Sequence, residues 1–163
     1  MLAVLQQVQD GYIARFERHF KHSVEKVWSS LTENDKLSKW FSELQVDDLR
    51  EGGTIRFDMG DGTFEELKII ELKAYSVLEY TWGNDRVRFE LYPESDGCRL
   101  ILIEKISKFT DHLSKDLAGW HVCLDVINAL LNEKTLESRE SQWKTWYEQY
   151  KKVIENFHED QTR

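Results

Sequence analysis

The sequence predicts an α+β domain: a strongly bent antiparallel sheet of about six or seven strands with a long helix lying across it. Three observations carry that expectation. Short alternating apolar and polar segments between residues 43 and 106 are separated by glycine turns, as in a meander. Residues 115–132 then repeat apolar side chains at helical spacing. The strands come in one run with the long helix after them, rather than alternating with helices, which separates α+β from α/β. A chain of 163 residues fits a single domain with a real core. No repeat or linker divides residues 1–163; the core spans about 12–132, with an additional helix at about 138–157.

Residues 12–21 read as the first strand. Ser23 is placed to cap a short helix through Val27, Trp28 and Leu31, with Glu25 in its first turn. Asn34 is expected to cap a second helical piece carrying Leu37, Trp40 and Phe41. Residues 43–49 form a weak strand, and Gly52-Gly53 a turn. Ile55, Phe57 and Met59 alternate on the next strand, and Gly60-Asp61-Gly62 marks a hairpin. Strands at 64–73, 77–82, 86–93 and 98–106 complete the sheet, with Val87, Phe89 and Leu91 alternating against Arg86, Arg88 and Glu90. In the long helix, Trp120, Cys123, Leu124, Ile127, Leu130 and Leu131 make one broad apolar face. The Ala118-Gly119 pair beside Trp120 suggests a helix start pressed against other backbone. The last helix carries Trp143, Trp146, Tyr147, Tyr150, Val153, Ile154 and Phe157 on one stripe. That stripe either packs on its own domain or pairs across a homodimer.

Charge and composition narrow the function. A net charge of −8 with no basic run argues against nucleic acid and against anionic membrane surfaces. No segment approaches bilayer length and none reads as a signal peptide, so a soluble cytoplasmic protein without membrane insertion is expected. Cys98 and Cys123 are the only cysteines and are expected as reduced, buried thiols.

With the elements placed, the chain resembles the Bet v 1/START-like (SRPBCC) superfamily, the helix-grip fold. It most resembles the branch named after the activator of the ATPase of the 90-kDa heat-shock chaperone. The matching pieces are Val24-Glu25-Lys26-Val27-Trp28-Ser29-Ser30-Leu31-Thr32, Leu37-Ser38-Lys39-Trp40-Phe41, Gly53 with its following strand, Leu78-Glu79-Tyr80-Thr81-Trp82, and Gly119-Trp120-His121 through Leu124. The likeness is to the C-terminal domain of that activator alone, so it does not carry over chaperone stimulation. The resemblance implies a cavity between sheet and long helix lined by apolar and aromatic side chains. Members of the superfamily bind lipids, sterols, polyketides and plant phenolics, and some are cyclases or aromatases.

The residues themselves show no phosphate loop, dinucleotide fingerprint, zinc helix or nucleophile elbow, and no cofactor or metal is expected. His121 and Asp125 share a helix face, with His112 or Glu104 as a conceivable third partner. An imidazole satisfied by a nearby carboxylate or carbonyl is the plainer reading. Cys123 points to a different side of the helix from His121 and reads as a small core residue. Cys98, beside a hairpin, could be partly exposed. Glu65, Glu66, Glu71, Glu79 and Glu104 lie on strands; one facing inward would become a candidate acid, or a partner for an inward Arg. Arg86, Arg88 and Arg99 share that ambiguity of facing. The expected function is binding of a small hydrophobic or aromatic molecule on Trp40, Phe57, Met59, Trp82, Phe89 and Trp120. The alternatives are a protein-interaction or chaperone-cofactor module using the acidic surface or the last helix, and, third, a cyclase- or hydrolase-type enzyme.

Overall fold

The computed structural model describes residues 1–161. In chain order its strands are β1 (Val4–Val8), β2 (Gly11–Phe20), β3 (Leu44–Asp48), β4 (Thr54–Asp58), β5 (Phe64–Lys73), β6 (Val77–Trp82), β7 (Asp85–Glu94) and β8 (Gly97–Ile106). The helices are α1 (Val24–Thr32), α2 (Asn34–Trp40), α3 (Leu113–Leu131) and α4 (Arg139–Gln161). All eight strands join one antiparallel sheet in the order β1-β2-β8-β7-β6-β5-β4-β3.

The sheet therefore has one strand more than the sequence suggests. That strand, β1, lies at the sheet edge and is mostly exposed. A strand with no buried face has no apolar alternation to announce it. At the centre, β7 and β8 pair along their whole length, and Phe89 stands opposite Leu102 with Leu91 opposite Leu100. β5 serves two neighbours. Its first half pairs with β4 and its second with β6, with a register shift between Ile69 and Glu71. A bulge of this kind bends a strand and increases its twist, and here it turns the β3–β4 arm of the sheet.

Ser23 caps α1 as expected, its hydroxyl accepting from the Lys26 N–H at 3.2 Å. Asn34 does not cap α2. Glu33 holds the cap position without a side-chain bond. The Asn34 amide instead pairs with β3, donating to Val46 O at 3.0 Å and accepting from Val46 N at 2.7 Å. It thus stands in for a neighbouring strand at the sheet edge.

α3 starts at Leu113, so Gly119 lies inside the helix rather than at its start. A Cβ on Gly119 would have the Trp143 indole nitrogen as nearest neighbour, at 4.0 Å, not backbone. The helix is also more than one-faced. Leu117, Trp120, Leu124 and Ile127 are buried, and so are Ala118, His121 and Val122. A helix apolar around most of its circumference needs cover on two sides. The sheet supplies one side and α4 the other. Trp146 lies over the His121 ring at 3.9 Å between centroids, and Tyr150 is fully buried against Phe16 at 6.2 Å. Farther along, Phe157 packs on Tyr12 and Phe109. The aromatic stripe of the last helix packs on its own domain.

Candidate functional site

Near the N-terminal half of α3, where the β4–β6 part of the sheet comes close, six aromatic rings form a continuous cluster, four of them a wall and two packed behind it. Trp82 ends β6, Phe57 is on β4, Phe41 follows α2, and Trp120 is on α3. Trp82 and Trp120 are 5.0 Å apart between centroids. Phe41 lies 5.7 Å from each of them, and Phe57 is 5.7 Å from Trp82. Phe89 and Trp40 continue the cluster inward, Phe89 at 6.0 Å from Trp120 and Trp40 at 6.5 Å from Phe89. Most of these pairs are edge-to-face or tilted, the arrangement that ring quadrupoles favour.

Two clefts open on this wall. One, of about 410 Å³, lies between Phe57, Met59 and Trp82 on one side and Glu104, Leu113 and Asp116 on the other. The second, of about 620 Å³, is lined by Phe41, Trp82, Gly119, Trp120, Arg139 and Trp143, among others. Trp82, His112 and Asp116 border both, so the two clefts meet at the Trp82–Asp116 contact, where the indole N–H donates to Asp116 Oδ1 at 3.2 Å. Gly119, lacking a side chain, leaves the floor of the second cleft open. Both volumes fall in the range of small-molecule sites.

The six residues singled out from the sequence divide here. Phe57, Met59 and Trp82 border the first cleft; Trp82 and Trp120 border the second. Met59 is half exposed at the rim. Trp40 and Phe89 line neither cleft. They are buried behind the wall, with the Trp40 indole donating to Ser30 O at 2.7 Å. Phe41 belongs to the wall and was not among the six. Its signal lies in the Trp40-Phe41 pair: α2 stops at Trp40, and the extended backbone at Phe41 (φ −146°) turns the second ring away from the first.

The polar part of the site is a carboxyl that sequence reasoning left among five. On β8, Leu100, Leu102, Glu104 and Ile106 share the inward face, and all are buried. Glu104 is only 1 % exposed, and its Oε1 has no hydrogen-bond partner. Burial, then a hydrogen bond with Asp116 and the nearby charges of Asp116 and Asp85, hold its carboxyl well above the usual range. Burial thus disfavours the ionised form of Glu104. Trp120 Nε1, on the second cleft's wall, is likewise buried without a partner. Buried polar atoms are nearly always satisfied in folded proteins, so two orphans beside open clefts set this part of the molecule apart.

The other carboxylates face elsewhere. Glu79 is buried on the outer sheet face beneath Arg88 at 2.9 Å and Lys105 at 3.0 Å, and Glu71 takes the other side of Arg88 at 2.7 Å. Arg86 reaches Glu79 at 3.8 Å, and Arg99 stacks over Tyr92. These arginines do not enter the clefts. Glu65 sits at the rim of the first cleft, exposed, and Glu66 is exposed without lining it.

His121 is part of the core. Tyr150 Oη is 2.7 Å from its Nδ1 and accepts from the Ala3 N–H at 3.0 Å. The Arg18 guanidinium, which can only donate, also points at Nδ1 at 3.4 Å, so Nδ1 is the acceptor, the tyrosine O–H donates to it, and the imidazole proton lies on Nε2, 3.9 Å from Asp125. Burial, the nearby Arg18 guanidinium and the N-terminal charge push its pKa down to about 3. The partner is a hydroxyl rather than a carboxylate or carbonyl, and neither His112 nor Glu104 joins it. Cys123 is buried with its thiol pushed up to about 12, chiefly by burial. Cys98 is fully buried rather than partly exposed. Among the described residues no group of His, Cys, Asp and Glu could hold a metal ion.

No curated protein matches the sequence. Solved structures do. EF2215 of Enterococcus faecalis, a conserved protein of unknown function, superposes with a TM-score of 0.83 at 24% identity over 94% of this chain and 91% of that one. CalU16 of Micromonospora echinospora superposes with a TM-score of 0.73 at 19% identity over 93% and 95%. DynU16, encoded in the dynemicin biosynthetic locus, gives 0.64 at 19% identity over 77% of this chain and 48% of that one. At these identities the likeness is one of fold, the helix-grip fold. In sequence, the model of the activator of Hsp90 ATPase homolog 1-like proteins matches residues 21–132, well over half of the chain, and the chain belongs to that family.

Proposed function

We propose that this protein binds a small aromatic or hydrophobic molecule along the wall of Phe41, Phe57, Trp82 and Trp120, with Met59 at the rim and Trp40 and Phe89 as the packed layer behind. The observation that carries the reading is the junction of the two clefts at Trp82: ring faces border both, and each has one buried polar atom without a partner. Apolar burial supplies the affinity and the two orphans set the orientation, Glu104 Oε1 accepting from the ligand and Trp120 Nε1 donating to it. The site is a pair of open clefts at the sheet–helix mouth rather than an enclosed chamber. CalU16 and DynU16 share the fold, and the latter's place in a natural-product locus fits an aromatic ligand. Two free, buried cysteines accord with a reducing compartment such as the cytoplasm, and among the described residues no helix is long and apolar enough to cross a membrane.

A protein-docking role for the last helix has less to support it, because Trp146 and Tyr150 are already packed on His121 and Phe16. An enzyme reading has one specific observation in its favour, the buried Glu104 carboxyl at a cleft, whose pKa burial raises as a general acid requires.

Native mass spectrometry of protein purified from its own host tests these readings. An intact adduct in the wild type that is lost in Trp82→Ala supports ligand binding. An adduct that changes mass on incubation favours the enzyme. No adduct, together with no thermal stabilisation by neutral bicyclic aromatics, contradicts both.

A further inference from the structure

The chemistry at the inner end of the first cleft specifies the ligand further, on the premise that the aromatic wall is a binding site. We propose that the Glu104–Asp116 pair is the docking point for a cationic amine carried by an aromatic ligand, with Glu104 Oε1 accepting from the ammonium group while the ring lies on Trp82 and Phe57.

Three observations converge. First, Glu104 Oε1 lacks a partner and Glu104 borders the cleft, so a ligand donor placed there would satisfy it. Second, the groups around that cleft are one-sided: Glu65, Asp85 and Asp116 line it beside Glu104, against Lys108 and His112. An ammonium meets a favourable potential there, whereas a ligand carboxylate meets repulsion. Third, the cleft's other wall is aromatic, with Trp82 and Phe57 5.7 Å apart at 73°. Two ring faces at a steep angle suit a cation as well as an aryl group. Asp116 is already engaged by the Trp82 indole and lies in the first turn of α3, where a carboxylate is favoured. It is held in place, and Glu104 is the member of the pair with an atom to spare.

Docking an ammonium changes the protonation of the pair. Burial and the nearby Asp116 and Asp85 raise the Glu104 pKa, and an adjacent cation lowers it again, so docking of an ammonium favours the carboxylate form and any proton displaced from Glu104 leaves to solvent. The groups facing Glu104 during this exchange are Asp116 on α3, Asp85 on β7, Glu65 on β5, and Lys108 and His112 on the β8–α3 connection.

Isothermal calorimetry with three probes of one shape tests this: 1-naphthylmethylamine (cation), 1-naphthalenemethanol (neutral) and 1-naphthylacetate (anion). Each is run near neutral pH in two buffers of different ionisation heat. The amine is expected to bind about tenfold more tightly than the alcohol, the margin of a charge-assisted over a neutral hydrogen bond, with the acetate weakest. Amine binding alone should release up to about one proton per complex. Glu104→Gln should abolish both the release and the tenfold margin. If that variant does not fold, the wild type suffices: the amine-to-alcohol affinity ratio should rise as pH rises above the ordinary carboxylate range. Alcohol binding as tight as amine binding, or amine binding without proton release, overturns the amine assignment and leaves the aromatic site standing. Failure of all three probes to bind overturns the site itself.

Discussion

Helix α3 has a buried titratable group on each of two sides, its own His121 on one and Glu104 of β8 on the other, and the two are built differently. Toward β2 and α4, His121 is boxed in. A tyrosine hydroxyl is on its Nδ1, a tryptophan ring lies over its face, and Arg18 and Asp125 are close by. Toward the clefts, Glu104 meets α3 through Asp116 but keeps one oxygen bare. Burial disfavours the charged form of both groups. The difference lies in completeness: a finished polar network ties elements together, while an unfinished one beside a cleft is prepared for a ligand.

Truncation separates the wall from the stabilising network most strongly. Trp120→Ala removes a fully packed ring shared by cleft and core and should cost about 3–5 kcal/mol in denaturant unfolding. Tyr150→Phe should come next, at about 1–3 kcal/mol, because it leaves the Ala3 N–H without a partner and His121 Nδ1 with only the longer contact to Arg18. Glu104→Met should act in the opposite direction and stabilise by about 1 kcal/mol, since it exchanges an incompletely bonded buried carboxyl for an apolar side chain of similar size. A loss of stability there would show that Glu104 belongs to a finished network like that of His121. Smallest is Gly119→Ala, expected to add about 0.5–1 kcal/mol of helix propensity with room for the methyl at 4.0 Å from Trp143, while narrowing the second cleft and weakening ligand binding.

The same two groups should oppose each other in pH dependence. His121 titrates in the folded state near 3 instead of 6.5, so the unfolded chain binds more protons between those values. Its contribution is present above pH 6.5 and is lost as pH falls toward 3. Glu104 is raised above 4.5, so the folded state binds more protons above that point. Its contribution is full below pH 4.5 and is lost as pH rises through its folded value. Difference curves of unfolding free energy against pH, wild type minus His121→Gln and wild type minus Glu104→Gln, should slope upward and downward with pH, respectively. Parallel slopes would remove the distinction between the two sides of the helix.

What the sequence revealed follows the same division. The central strands were legible because one face is buried and the alternation is clean, as at Val87, Phe89 and Leu91. The edge strand β1 was not, because burial leaves no pattern on it. The two-sided character of α3 was read as one face, since the second layer comes from α4, and nothing local says which helix face that layer will cover. Glu104 did carry a signal: counting by twos from Leu100 and Leu102 puts it on the buried face. Whether a carboxyl there is satisfied depends on Asp116, twelve residues on, across a chain reversal that spacing alone does not describe. Trp40 and Phe89 illustrate the converse. Aromatic residues at the right place in the fold divide into wall and backing only once Phe41 and Trp82 are set in front of them.

The six tryptophans offer the most direct test of where a ligand sits, because each indole N–H gives its own resonance in a ¹⁵N-correlated NMR spectrum. On titration with 1-naphthalenemethanol, the Trp82, Trp120 and Trp143 signals should move together, while Trp28 and Trp146, away from both clefts, stay in place. Unchanged Trp82 and Trp120 signals, or shifts centred on Trp28 or Trp146, would contradict an aromatic binding wall at the mouth of the sheet.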